Sequence, residues 1–110
     1  MAATGRERRK LKRIVKRIPA FFISGSLHGD GYIKNLSREG LFMRTENLPD
    51  PEEPVQILIK SRDGRKIEVN GTVRWTTAQF PGREEQAGFG MHVDPLTEAY
   101  RDFYQNLLLN

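Results

Sequence analysis

The chain has 110 residues, with 18 Lys+Arg against 14 Asp+Glu for a formal charge of +4, and no cysteine. This length supports one core and not two, and the lack of cysteine excludes disulfides, thiolate metal ligands and a cysteine nucleophile. The longest apolar runs, Ala20–Ile23 and Leu107–Leu109, fall far short of the roughly 20 residues that span a bilayer, and no signal-like apolar segment follows the N-terminus, so a soluble cytoplasmic protein is expected.

The charge is unevenly placed. Residues 1–17 hold eight Lys/Arg against one Glu, which is +7, and the remainder is −3. Such an arm suits nucleic acid, anionic lipid or a small phosphorylated ligand, and composition does not choose among them. Between Arg6 and Arg17 only Leu11, Ile14 and Val15 are apolar, so the arm is predicted to be partly disordered when free.

Pro19 blocks helix continuation, and Ala20-Phe21-Phe22-Ile23 reads as a first strand. Gly25, Gly29, Asp30 and Gly31 mark a turn, after which Tyr32 and Ile33 lead into Asn35-Leu36-Ser37-Arg38-Glu39-Gly40, and Leu41-Phe42-Met43 opens the next strand. A loop rich in proline (Pro49, Pro51, Pro54) precedes the alternating Val55, Ile57 and Ile59. Asp63-Gly64 is a hairpin signal joining that strand to a long one, interrupted at Gly71, in which Ile67, Val69, Val73 and Trp75 share a face. Residues 79–86 form a polar loop, and Phe89, Met91 and Val93 alternate as a last strand.

After Asp94-Pro95, a plausible cap and first position, the period changes. Leu96, Tyr100, Phe103, Tyr104, Leu107 and Leu108 form the wide apolar stripe of an amphipathic helix. About six short strands closed by one helix predict a mainly β protein, a six-stranded antiparallel β-barrel with a C-terminal α-helix. The expected division is a basic arm over 1–17 and a barrel over 18–110 with its helix at 95–109.

Two features carry chemistry. Arg13-Ile14-Val15-Lys16-Arg17 is a basic Arg-x-x-x-Arg run, and Asn35, Ser37 and Gly40 form an Asn-x-Ser-x-x-Gly turn beginning eighteen residues after Arg17. Guanidiniums fork onto phosphates and guanine edges, stack on base planes and keep their charge. The Asn35 amide can meet a guanine or orient an arginine, the Ser37 hydroxyl can serve a base edge or phosphate oxygen, and Gly40 permits a positive φ and close backbone approach. Each motif alone is common, since tight turns favour those residues and basic runs are often solvated. Their joint order and spacing is the signal.

The combination resembles the PilZ domain family, receptors for the bacterial second messenger cyclic di-GMP, from about Arg9 to the C-terminus. Arg13 and Arg17 take the places of the family's paired arginines, with Ile18-Pro19 following. Asn35, Ser37 and Gly40 fill its Asp/Asn-x-Ser-x-x-Gly, and Leu41–Thr45, Gly71–Trp75, Gly88–Met91 and the closing helix look like its later elements. The resemblance implies cyclic di-GMP as ligand, bound by Arg13, Arg17, Asn35, Ser37 and Gly40, with no other cofactor, no metal and an unidentified downstream protein as partner. The chain departs from the pattern in carrying Glu39 where a glycine pair is common. Lys12 stands where an arginine is associated with an intercalated ligand dimer, so one or two ligands remain open. Arg9 and Arg13 share the spacing of Arg13 and Arg17, and Pro19 favours the latter pair.

Other constellations are weaker. His28 and His92 lack metal-ligand spacing, Glu84-Glu85 reads as a solvated face, and Trp75 and the aromatics of the terminal helix read as core. No nucleophile with its base and no phosphate loop is found, so catalysis is not expected. A cyclic di-GMP receptor that orders its arm on binding and signals to a partner is the leading reading. The alternatives are an interaction module of this fold without ligand binding, and a nucleic-acid binder that uses the arm with Phe21-Phe22 as stacking residues.

Overall fold

The structure, a computed structural model, describes residues 13–61, 64–80, 82, 86–95 and 97–109. Its strands are β1 (Ile14–Ser24), β2 (Leu27–Leu36), β3 (Gly40–Arg44), β4 (Pro54–Lys60), β5 (Lys66–Thr76) and β6 (Gly88–Val93), followed by one helix, α1 (Glu98–Leu109). They form a closed barrel in the order β1-β2-β3-β6-β5-β4 with every pair antiparallel. Closure removes the unpaired edges that an open sheet would present. Among the described residues no helix is long and apolar enough to cross a membrane.

Period-2 alternation builds the interior. Val55, Ile57 and Ile59 of β4 and Phe89, Met91 and Val93 of β6 are buried as their alternation predicts. With Phe22, Ile33, Leu36, Leu41, Met43, Val69 and Val73 they make one core, each large aliphatic contributing about 1.5–3 kcal/mol by leaving water. The β4–β5 hairpin is present, Lys60 pairing with Lys66, with Gly64 at φ +88°. Asp63 of its turn lies outside the described residues, as do Glu84-Glu85 and Leu96.

Three expectations are corrected. First, β1 begins at Ile14 and not at Ala20, because Ile14 and Val15 pair with Leu36 and Asn35, and Ile14 and Ile18 extend the inward series of Ala20 and Phe22. Ile14–Arg17 therefore belong to the barrel, while residues 1–12 lie outside the described part. Second, the turn before β2 is only Gly25-Ser26, with Gly25 at φ +63°, and Gly29–Gly31 run inside the strand. Gly31 is needed there because a Cβ would strike the Arg44 carbonyl of β3.

Third, Trp75 is not core. β5 is continuous through Gly71, but one extra residue lies between Val73, opposite Met91, and Trp75, opposite Gly90. This bulge reverses the facing of all that follows, so Thr76 is buried and Trp75 is 40% exposed.

The helix α1 packs on the barrel with Tyr100 and Tyr104 buried and Phe103 and Leu107 partly buried. Its stripe is narrower than predicted, since Leu108 is exposed. Thr97 N donates to Asp94 O at 3.0 Å, and the helix begins at Glu98 and not at Pro95.

Candidate functional site

The turn between β2 and β3 folds on itself. Ser37 N donates to Gly40 O at 2.7 Å, and the buried Ser37 Oγ donates to the same carbonyl at 3.3 Å. Gly40 is not among the described positive-φ residues. Its requirement is steric, because a Cβ there would lie 2.8 Å from the Met91 carbonyl of β6.

Antiparallel register brings the arginine run to this turn. Ile14 sits opposite Leu36, so Arg13 stands beside the turn's first half. Arg13 Nε donates to Asn35 Oδ1 at 2.7 Å and its Nη1 reaches Ser37 Oγ at 3.5 Å. Arg17 takes a different course. Between Val15 and Ile18 β1 carries one residue more than β2, and the Arg17 guanidinium lies over the Tyr32 ring, 4.5 Å from its centroid. Such a contact contributes about 0.5–1 kcal/mol at an exposed site.

Two further bulges shape the surface between these strands. In β2 an extra residue falls between Ile33 and Asn35, and in β5 between Val73 and Trp75. Each bulge turns two consecutive side chains outward, Lys34 with Asn35 and Arg74 with Trp75, and all four line one cavity of about 620 Å³. Arg13, Ser37, Glu39, Gly40, Phe42 and His92 also line it. The volume is in the range of small-molecule sites.

An aromatic platform forms one wall. Phe42, outward-facing between buried Leu41 and Met43, stacks on Trp75 at 5.3 Å with a 25° interplanar angle, and Phe80 meets Trp75 edge-on at 5.9 Å. Gly90 makes this possible, since any Cβ at that position would enter the indole. Beyond the platform, Thr76 N is held by Gln79 Oε1 at 2.8 Å, which secures the end of β5.

Among the described residues, the charges lining the cavity are three cations, Arg13, Lys34 and Arg74, against the carboxylate of Glu39. Behind the turn, the Tyr100 hydroxyl of α1 donates to Ser37 O at 2.6 Å and approaches Gly40 O at 3.3 Å. Burial pushes the Tyr100 phenol well above its ordinary range, and Arg13 opposes this only in part, so the group remains a donor.

The structure thus brings together Arg13, Asn35, Ser37 and Gly40, and leaves Arg17 outside the cavity against Tyr32. Sequence reasoning missed Lys34, Phe42, Arg74 and Trp75 as lining residues. Phe42 was recoverable from alternation with Leu41 and Met43, whereas Lys34, Arg74 and Trp75 depend on bulges. Of the proposed stacking pair, Phe22 is fully buried against Phe89 at 5.2 Å, and only Phe21 is exposed, beside His28. No group of three metal-ligating side chains occurs among the described residues.

Residues 7–110 match the model of the PilZ domain family. Among solved structures, an inhibitor of motility from Bacillus subtilis (MotI/DgrA) superposes with a TM-score of 0.66 at 15% identity, over 94% of this chain and 52% of that one. The chain therefore spans about half the length of that protein. The PilZ domain of CeSA from a cellulose-synthesizing bacterium superposes with a TM-score of 0.63 at 21% identity, over 89% of this chain and 97% of that one. At these identities the likeness is one of fold. No curated protein matches the chain.

Proposed function

The chain belongs to the PilZ domain family, and from that premise we propose that it is a cytoplasmic cyclic di-GMP receptor that signals to a partner protein without catalysing a reaction. The ligand lies in the 620 Å³ cavity against the Asn35–Gly40 turn. Arg13 forks onto a phosphate or guanine edge, Ser37 and Asn35 complete the polar contacts, and a guanine face rests on Trp75. Lys34 and Arg74 add charge opposite the two phosphodiesters. Arg17, exposed on β1, joins by swinging its side chain off the Tyr32 face toward the ligand's phosphodiester charge.

The observation that carries this reading is the 2.7 Å bond from Arg13 Nε to Asn35 Oδ1. It occupies one edge of the guanidinium and holds the rest of the fork at the cavity, so little ordering is left to be done on binding. Titration calorimetry with cyclic di-GMP, and with cyclic di-AMP as the control for base identity, tests it. Saturable heat with the guanine ligand alone is expected, and no heat with either would overturn it.

Glu39 favours a second reading, an interaction module that does not bind the ligand, because its carboxylate lines the cavity beside Arg13, Lys34 and Arg74. If wild-type protein gives no heat and Glu39→Gly does, this second reading holds.

A further inference from the structure

The Tyr100 hydroxyl ties α1 to the turn that forms the proposed ligand platform. Tyr100 is fully buried, and 63 residues separate it from the Ser37 carbonyl that it bonds at 2.6 Å. Its second approach, 3.3 Å to Gly40 O, reaches the carbonyl that already accepts Ser37 N and Ser37 Oγ. Ser37 Oγ in turn lies 3.5 Å from Arg13 Nη1. One chain of contacts therefore runs from a cavity-lining arginine through Ser37 and Gly40 to the first turn of the helix.

We infer that Tyr100 is a positioning residue that couples occupancy of the turn to the placement of α1, making the helix an element through which the signal leaves the site. The inference rests on the cyclic di-GMP reading above. A tyrosine hydroxyl has a single proton to share between Ser37 O and Gly40 O. When a ligand engages Ser37 Oγ, Gly40 O loses a donor and competes better for that proton. A buried hydroxyl does not readily go unpaired, so the Tyr100 ring follows its acceptor. The side chain is fixed on a 12-residue helix, so the displacement is passed to the whole element. The transmission needs only the latch and a rigid helix.

The test combines calorimetry and hydrogen exchange on wild type, Tyr100→Phe and a control, Tyr104→Phe, which alters a buried tyrosine one turn further along the same helix. In wild type, cyclic di-GMP is expected to change exchange in residues 37–41 and in 98–109. Tyr100→Phe keeps the ring, and should bind about five- to tenfold more weakly, as the loss of one neutral hydrogen bond predicts. In that variant the turn still responds to ligand and α1 does not. Tyr104→Phe should match wild type in affinity and helix response. A helix response that persists in Tyr100→Phe, or is absent from wild type that binds, overturns the coupling. Failure of wild type to bind refutes the receptor reading. The latch is then judged without ligand: exchange should rise together in residues 37–41 and α1 of Tyr100→Phe, with the β4–β5 hairpin unchanged. A uniform rise, or none, refutes the latch.

Discussion

Arg13 and Asn35 are joined by a 2.7 Å hydrogen bond across 22 residues of sequence, and the bond exists because β1 and β2 pair in a register that sets Ile14 opposite Leu36. Arg13 is exposed, so Arg13→Ala should leave thermal stability nearly unchanged. Removing a charge-assisted contact of about 1.5–3 kcal/mol should weaken cyclic di-GMP binding about tenfold or more. Asn35→Ala frees the guanidinium and removes a neutral partner, so a smaller loss is expected. Arg17→Ala should also weaken binding, by less than Arg13→Ala because Arg17 must first leave Tyr32. Calorimetry orders the three, and wild-type affinity in both arginine variants would remove the assignment.

Trp75 is the only tryptophan in the chain and forms part of the cavity wall. Stacking of a guanine on it should quench its fluorescence in a saturable manner, with a midpoint equal to the calorimetric dissociation constant. Trp75→Ala, at a 40% exposed position, should fold and lose about 1–3 kcal/mol of binding. Fluorescence that ignores bound ligand would show that the base lies elsewhere.

Gly40→Val sets side-chain atoms against the Met91 carbonyl, which is backbone of β6 and yields only if the β3–β6 pairing shifts. The expected cost is about 1–3 kcal/mol, seen as a lower urea midpoint, together with loss of binding. A variant neutral in both measurements would mean that the turn is not the ligand platform.

Tyr100 makes stability depend on alkaline pH. Its folded pKa is raised from the ordinary value of 10.0, chiefly by burial, so above about pH 10 the unfolded chain releases a proton that the folded chain retains. The stability this group contributes is complete below pH 10 and declines as pH rises beyond it. Urea midpoints at about pH 8 and 11 should therefore fall further in wild type than in Tyr100→Phe. Equal declines would show that the phenol is not held protonated by the fold.

Periodicity and turn chemistry in the sequence alone determined the six strands, their inward faces in β4 and β6, the closing helix and the placement of the Asn35–Gly40 turn, because alternation and glycine positions are properties of a single segment. The motifs pointed to Arg13, Arg17, Asn35, Ser37 and Gly40 as one group; the structure sets the Arg13 side chain against Asn35 and Ser37 and the Arg17 side chain against Tyr32. What only the tertiary structure decided lies at the three bulges. The extra residue in β1 accompanies the placement of Arg17 on Tyr32 and away from the cavity, that in β2 turns Lys34 outward beside Asn35, and that in β5 converts Trp75 from expected core into cavity wall. A bulge is a mismatch in count between two paired strands, so neither strand read alone contains it. The same holds for Gly40 and Gly90, whose missing side chains answer to the Met91 carbonyl and the Trp75 ring across the sheet.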